Sequence, residues 1–173
     1  NYLNFLHDDL GYAGYRYDMT KGYGAQYTAL YNEKTNAEYS VGEYWDGTVE
    51  TLKTWLNNSK RNGKIMSATF DFTTRYTVRD ACASNTWSKL NTGGLATDNS
   101  YKRYAVTFVE NHDTQYRSAS EPGDPIKSFI ETANAYIMAT PGTPCVFLKH
   151  WKDYKKSIKQ QMYARKAAGI SNE

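Results

Sequence analysis

The chain has 173 residues and a formal net charge of +3, with 21 Lys and Arg against 18 Asp and Glu. That length builds one ordinary domain with a real core but falls short of an eight-fold β/α barrel, which takes roughly 250 residues. So small a basic excess gives no argument for nucleic acid, which calls for a clustered basic stripe, whereas sixteen Tyr, four Trp and six Phe either fill core and surface or offer flat faces to hydroxylated ligands such as sugars.

Residues 1–10 place apolar side chains at helical spacing, with Gly11 as the stop. Residues 14–18 (GYRYD) read as a short aromatic strand, 21–34 as a helix and 39–43 (YSVGE) as a strand. Over 48–60, Val49, Leu52, Trp55 and Leu56 recur at helical spacing, with Thr48 as N-cap and Gly63 as stop. Residues 65–72 (IMSATFDF) read as a strand and 73–84 as a helix. The clearest strand is 104–109 (YAVTFV). Two Pro and a Gly make 110–125 a loop, and 126–139 (IKSFIETANAYIMA) is a helix. A strand at 143–148 (TPCVFL) and a basic amphipathic helix at 151–168 complete the chain. Strands alternate with helices five times, which predicts α/β units with parallel strands. This order suits a doubly wound sheet or part of a barrel. No G-x-G-x-x-G or Walker loop follows a strand, which speaks against nucleotide binding. There is no internal repeat, low-complexity tract or linker.

Cys82 and Cys145 are too few for a disulfide framework or a zinc site, and are expected to be buried thiols. No apolar run reaches the roughly 18 residues of a membrane span. The chain does not begin with Met, and both ends read as cut from something longer, so the missing signal peptide says nothing about compartment.

Acidic residues recur where strands end: Asp18, Glu43, Asp71 and Asp113. In parallel α/β folds the carboxyl ends of strands face the active site. A single acid there often caps the next helix; four on successive units point to chemistry. Glycoside hydrolysis needs one carboxylate to attack the anomeric carbon and one carboxylic acid to protonate the leaving oxygen, roughly 5–5.5 Å apart in retaining enzymes.

Three segments carry a resemblance. GYRYD at 14–18, VGEYW at 41–45 and FVENHD at 108–113 resemble the fourth-, fifth- and seventh-strand motifs of the α-amylase family of glycoside hydrolases, in the family's order. FDF at 70–72 is similar to its sixth strand and GTPCVF at 142–147 to its eighth. The resemblance implies a partial (β/α)8 TIM barrel of about five units, with residues 1–173 as a single incomplete domain. It implies α-retaining hydrolysis of α-1,4-glucans such as starch and maltodextrin. Asp18 matches the nucleophile, Glu43 the acid/base and Asp113 the transition-state stabiliser. Arg16 lies two residues from Asp18, on the same strand face, and matches the arginine that keeps the nucleophile ionised. Lys21 and His112 match sugar-binding positions, and Asn111 beside His112 is a further substrate-binding candidate; Trp45 reads equally as a sugar platform and as a buried strand-end ring. Asp71 reads as a structural strand end.

The chain departs from the family in several places. Gly22 stands where the family often has His after the lysine. The third-strand motif, the inserted domain after it and the C-terminal β-domain have no match. Most ligands of the family's calcium come from those segments, so calcium is expected only in the complete protein, with the carbonyl of Gly22 or Tyr23 as one ligand. The resemblance also implies a secreted or extracellular protein. The alternatives are a starch-binding protein without catalysis, against which the three intact acids count, and a non-functional fragment. Alone, the chain is expected to be inactive, or to associate to complete a barrel.

Overall fold

A computed structural model of the chain describes residues 2–173. Its contacts divide it into two compact units, residues 1–70 and 71–173.

The first unit opens with a helical turn, α1 (Tyr2–Asn4), that widens into a π-type turn over Phe5–Asp9; neither buries a side chain. The strand β1 (Gly14–Tyr17) follows, then a 3₁₀ turn at Thr20–Gly22 and α2 (Ala25–Thr35). Next come β2 (Tyr39–Gly42) and α3 (Val49–Asn58). The apolar spacing read from the sequence puts Leu52, Trp55 and Leu56 inward on α3. Thr48 makes no side-chain cap; its N–H instead donates to Asp46 Oδ1 at 2.9 Å. Gly63 is not the helix stop. With Asn62 it forms a two-residue turn in which both residues have positive φ, 50° and 76°, and which joins the antiparallel strands β3 (Lys60–Arg61) and β4 (Lys64–Ile65). Asn-Gly is the pair such hairpins favour. The expected strand at 65–72 is therefore split, Ile65 ending the hairpin and β5 (Ala68–Phe70) joining β2. Strands β1, β2 and β5 run parallel, with Tyr17 opposite Gly42 and Gly42 opposite Thr69.

Beneath these strands lies a polar core. The Tyr17 hydroxyl donates to Asn32 Oδ1 at 2.8 Å, and Asn32 Nδ2 donates to Ser40 Oγ at 2.6 Å and the Met66 carbonyl at 2.7 Å. Burial, helped by Tyr15, Tyr23 and Tyr31, raises the Tyr17 phenol well above its ordinary value, so it stays a neutral donor. Gly42 is needed for close packing: a Cβ there would meet Trp55 Cη2 at 2.4 Å.

The second unit contains α4 (Phe72–Ser84), β6 (Ala105–Phe108), α5 (Ile130–Ala139), β7 (Thr143–Cys145) and α6 (Leu148–Ala167). Strand β6 is buried along its whole length, as expected of a parallel strand covered on both faces, and pairs in parallel with β7. Helix α5 starts four residues later than the periodicity suggests, because Ile126 turns into the core while still in the loop. Helix α6 starts three residues early and kinks at Tyr154. Val78, Cys82, Val109, Ile126, Ala133 and Ile137 form the apolar core, and Phe72 meets Phe108 edge to face at 5.0 Å. Cys82 is buried as expected, but Cys145 is exposed at the end of its short strand. Among the described residues no helix is long and apolar enough to cross a membrane.

Candidate active site

In the first unit the site begins with strand register. Tyr17 and Gly42 are the last paired residues of β1 and β2, so Asp18 and Glu43 are the next residues of two adjacent parallel strands. Adjacent strands lie about 4.7–4.9 Å apart, and in-register residues face the same way. The ladder continues through the backbone, since Glu43 N–H donates to the Tyr17 carbonyl at 2.9 Å and Thr20 N–H to the Glu43 carbonyl at 3.1 Å. Arg16 then ties the acids together: Nη1 donates to Asp18 Oδ1 at 2.8 Å and Nη2 to Glu43 Oε1 at 2.7 Å. The arginine is thus shared and does not serve Asp18 alone. The acids differ in burial, the Glu43 side chain being 8% exposed and that of Asp18 77%. Met19, in the left-handed region at φ 42°, turns its N–H onto Glu43 Oε2 at 3.3 Å.

Lys21 reaches back to the same strand end. Its ammonium donates to the Trp45 carbonyl at 3.0 Å and to Asp46 Oδ2 at 2.8 Å, and stands 5.6 Å from the Tyr44 ring centre. The hydrogen bond from Lys21, helped by its charge and by Thr48, holds the Asp46 carboxyl below the usual carboxylate range against the opposing effect of burial. Trp45 is 37% exposed, so it is not the buried ring that the sequence left open.

In the second unit the segment after β6 is a tight turn built by Asn111. Its Oδ1 accepts from Asp113 N–H at 2.9 Å and Thr114 N–H at 2.8 Å, a side chain standing in for a turn of backbone. Its own N–H donates to Thr114 Oγ1 at 2.9 Å. Asn111 therefore shapes the loop, while His112 and Asp113 project from it. His112 Nε2 and Asp113 Oδ2 are 3.0 Å apart, and Arg117 Nη2 donates to Asp113 Oδ1 at 3.2 Å and to the His112 carbonyl at 2.7 Å.

Asp71 is fully buried. It accepts from Thr74 N–H (2.9 Å), Thr73 Oγ1 (2.5 Å), Thr74 Oγ1 (2.6 Å) and Ala96 N–H (2.9 Å), capping α4. Every lone pair it offers is directed into the protein, as a structural residue requires.

Two features have no sequence signal. Glu110 and His150 form a buried pair, Oε2 to Nε2 3.0 Å, with Glu110 Oε1 accepting from Ile126 N–H at 3.2 Å. Arg75 and Arg79 both bind Asp124. In each case the partners lie about forty or more residues apart in the chain, and no local pattern links them. Glu110 stands inside the FVENHD motif, but only the fold supplies its partner.

The described residues contain no group of three or more His, Cys, Asp or Glu placed to hold a metal. Calcium takes six to eight oxygen ligands, and a carbonyl from Gly22 or Tyr23 alone does not make such a site.

Residues 13–163 match the family model described as alpha amylase, catalytic domain. The chain is 31% identical over 177 residues to probable alpha-amylase 2 of Arabidopsis thaliana, a match covering 93% of this chain and 41% of that protein. It is 28% identical over 186 residues to the glucan 1,4-alpha-maltotetraohydrolase of Stutzerimonas stutzeri, covering 95% of this chain and 32% of that one. Among solved structures, an Anoxybacillus alpha-amylase superposes with a TM-score of 0.57 at 17% identity, covering 83% of this chain and 33% of that one. The cyclic alpha-maltosyl-(1→6)-maltose hydrolase of Arthrobacter globiformis gives a TM-score of 0.55 at 20% identity, covering 84% and 33%. The fold is accordingly α/β, a partial (β/α)8 barrel, and the chain spans less than half the length of the relatives it matches.

Proposed function

Since this chain belongs to the α-amylase catalytic-domain family, we propose that it carries the reacting acids of a glycoside hydrolase that cleaves α-1,4-glucans with retention. The observation that carries the reading is Arg16, one guanidinium that binds both Asp18 and Glu43 at the ends of adjacent parallel strands. The strand spacing of about 4.8 Å is close to the roughly 5–5.5 Å that separates the two carboxyl groups of retaining glycosidases. Relatives named for action on α-glucans support the substrate class.

In this mechanism an Asp18 carboxylate oxygen attacks the anomeric carbon. The glycosidic C–O bond breaks, and Glu43 gives its proton to the departing oxygen. Water then attacks the anomeric carbon, Glu43 takes its proton, and Asp18 leaves as carboxylate. Arg16 supports the anionic form of whichever acid is ionised. Asp113, carried on the Asn111 turn, stabilises the oxocarbenium-like transition state. Exposed Trp45 and His112 supply a ring face and a hydrogen-bonding edge for sugar. Secretion is part of the proposal; because one relative is a chloroplastic amylase, detecting the native protein in culture medium rather than inside cells is the check.

The test is Glu43→Gln in the full-length protein, with proton NMR of the first-formed sugar in the unmutated enzyme. Turnover of starch is expected to vanish in the variant while maltooligosaccharide binding persists, and the unmutated enzyme should release the α-anomer. Near-normal turnover removes Glu43 from the role, and first release of the β-anomer rules out retention.

A further inference from the structure

The loop from Asn111 to Ile126 has no helix or strand, yet it carries His112 and Asp113. Its far end is fixed by charge. Arg75 is fully buried on α4; its Nη1 and Nη2 donate to the Asp124 carboxylate and carbonyl, and its Nε has no partner. Arg79, one helical turn on, donates to the same Asp124 oxygen as Arg75. A buried guanidinium without its counter-charge is costly, so Arg75 fixes where Asp124 must sit. From Asp124 the restraint runs back to the site in two steps. Asp124 N–H donates to the Thr114 carbonyl at 2.9 Å. Thr114, 1% exposed, in turn receives the Asn111 N–H on its hydroxyl and gives its own N–H to Asn111 Oδ1. Gly123 allows the loop ends to meet: a Cβ there would lie 2.3 Å from the Gln115 carbonyl oxygen, and its φ of 58° suits glycine. The Ile126 N–H on Glu110 closes the base.

We propose that Arg75, Arg79 and Asp124 are positioning residues that hold the His112–Asp113 loop in register for catalysis. This rests on the role given to Asp113 above. A displacement of about 1 Å far from the reacting atoms costs on the order of a hundredfold in rate. Because Asp113 acts on the transition state, its misplacement lowers kcat more than it raises KM.

The experiment compares Asp124→Asn, Arg79→Gln and Arg79→Lys in the full-length protein, well below the unfolding temperature. One arm measures kcat and KM on a chromogenic maltooligosaccharide. The other measures tryptic cleavage after Arg117, an exposed loop residue, against cleavage after Arg61 in the first unit. Asp124→Asn and Arg79→Gln are expected to lower kcat by roughly tenfold or more, leave KM within about threefold and speed cutting at Arg117 but not at Arg61. Arg79→Lys, which restores the charge, should recover part of the loss. Unchanged kcat with faster cutting overturns the positioning role, and unchanged cutting overturns the clamp itself. If Asp124→Asn does not fold, Arg79→Gln decides by the same criteria, since Arg79 is partly exposed. Absence of Glu43-dependent turnover in the unmutated protein would instead sink the glycosidase reading, and the proteolysis arm would still judge the clamp.

Discussion

Asp71→Ala is expected to be among the most damaging substitutions in the second unit. The wild-type carboxylate receives four hydrogen bonds: two from Thr hydroxyls and two from backbone N–H groups, those of Thr74 and Ala96. The hydroxyls can rotate toward other acceptors; the two N–H groups cannot. Each buried donor left unpaired costs about 1–3 kcal/mol, and bonds to a charged acceptor lie at the upper end. Two stranded N–H groups give about 2–6 kcal/mol. The lost N-cap of α4, worth about 1 kcal/mol, is already counted in the Thr74 donor. A loss of about 4 kcal/mol is therefore expected, in the range reserved for broken buried networks. Asp71→Asn should cost about half as much, because an amide oxygen still accepts at one side and only the Ala96 N–H is stranded. Urea unfolding of the full-length protein followed by Trp fluorescence measures both, and amide exchange at Ala96 reports the local effect. A loss below about 1 kcal/mol for Asp71→Ala, or unaltered protection of Ala96, would mean that the buried donors find other partners and that Asp71 does not hold α4.

Gly42→Ala should cost about 1–3 kcal/mol through overpacking against Trp55, read in the same unfolding assay; a neutral result would show that the ring moves aside freely. Burial works against ionisation of Asp124, but the hydrogen bonds and charges of Arg75 and Arg79 hold its carboxyl below the ordinary value. A depressed folded-state pKa stabilises above the unfolded value of about 3.9 and loses that contribution as pH falls through the folded value. The stability difference between wild type and Asp124→Asn should thus stay constant from about pH 5 to 8 and shrink below about pH 4; a difference that grows on acidification would reverse the sign of the assignment. The 173-residue polypeptide alone should show little turnover of a maltooligosaccharide. Strand β1 is at the edge of its unit, and among the described residues β7 pairs with β6. A stable monomer with robust turnover would refute this.

Much of the fold was legible because parallel units leave strong local marks. The Leu52, Trp55 and Leu56 stripe and the apolar run at 104–109 each predict an element that the chain forms. The errors fell where two signals met in one stretch. Ile65 and Met66 continue an apolar run that reads as one strand, yet Asn62-Gly63 reverses the chain, and the turn prevails over the run. At 126–129 the helical spacing is real, but Pro125 and the left-handed Phe129 delay the helix. Asp18 and Glu43 were legible as strand-end acids because each directly follows a paired strand, whereas Asp113 lies five residues beyond β6, on the Asn111 turn. Their supports were not: the sequence offers no reason to pair Arg75 with Asp124, or Glu110 with His150, across 49 and 40 positions.

That contrast follows from what such a site requires. The groups assigned to sugar in the proposed function must be accessible, and Asp18, Trp45 and His112 all are. An accessible side chain on a strand end or loop has few packing contacts to fix it, so order has to arrive through the backbone from below. In the first unit it comes from the Tyr17–Asn32–Ser40 network under β1 and β2. In the second it comes from buried charges, Asp71 at the start of α4 and Arg75 one turn later. Replacing the Arg75–Asp124 pair by apolar residues of similar volume need not reduce stability, but it would remove directional restraint from the loop. Arg75→Met combined with Asp124→Leu therefore separates the two effects. If the pair serves only stability, the double variant should fold and turn over normally; if it positions Asp113, the variant should remain folded while kcat falls as in Asp124→Asn.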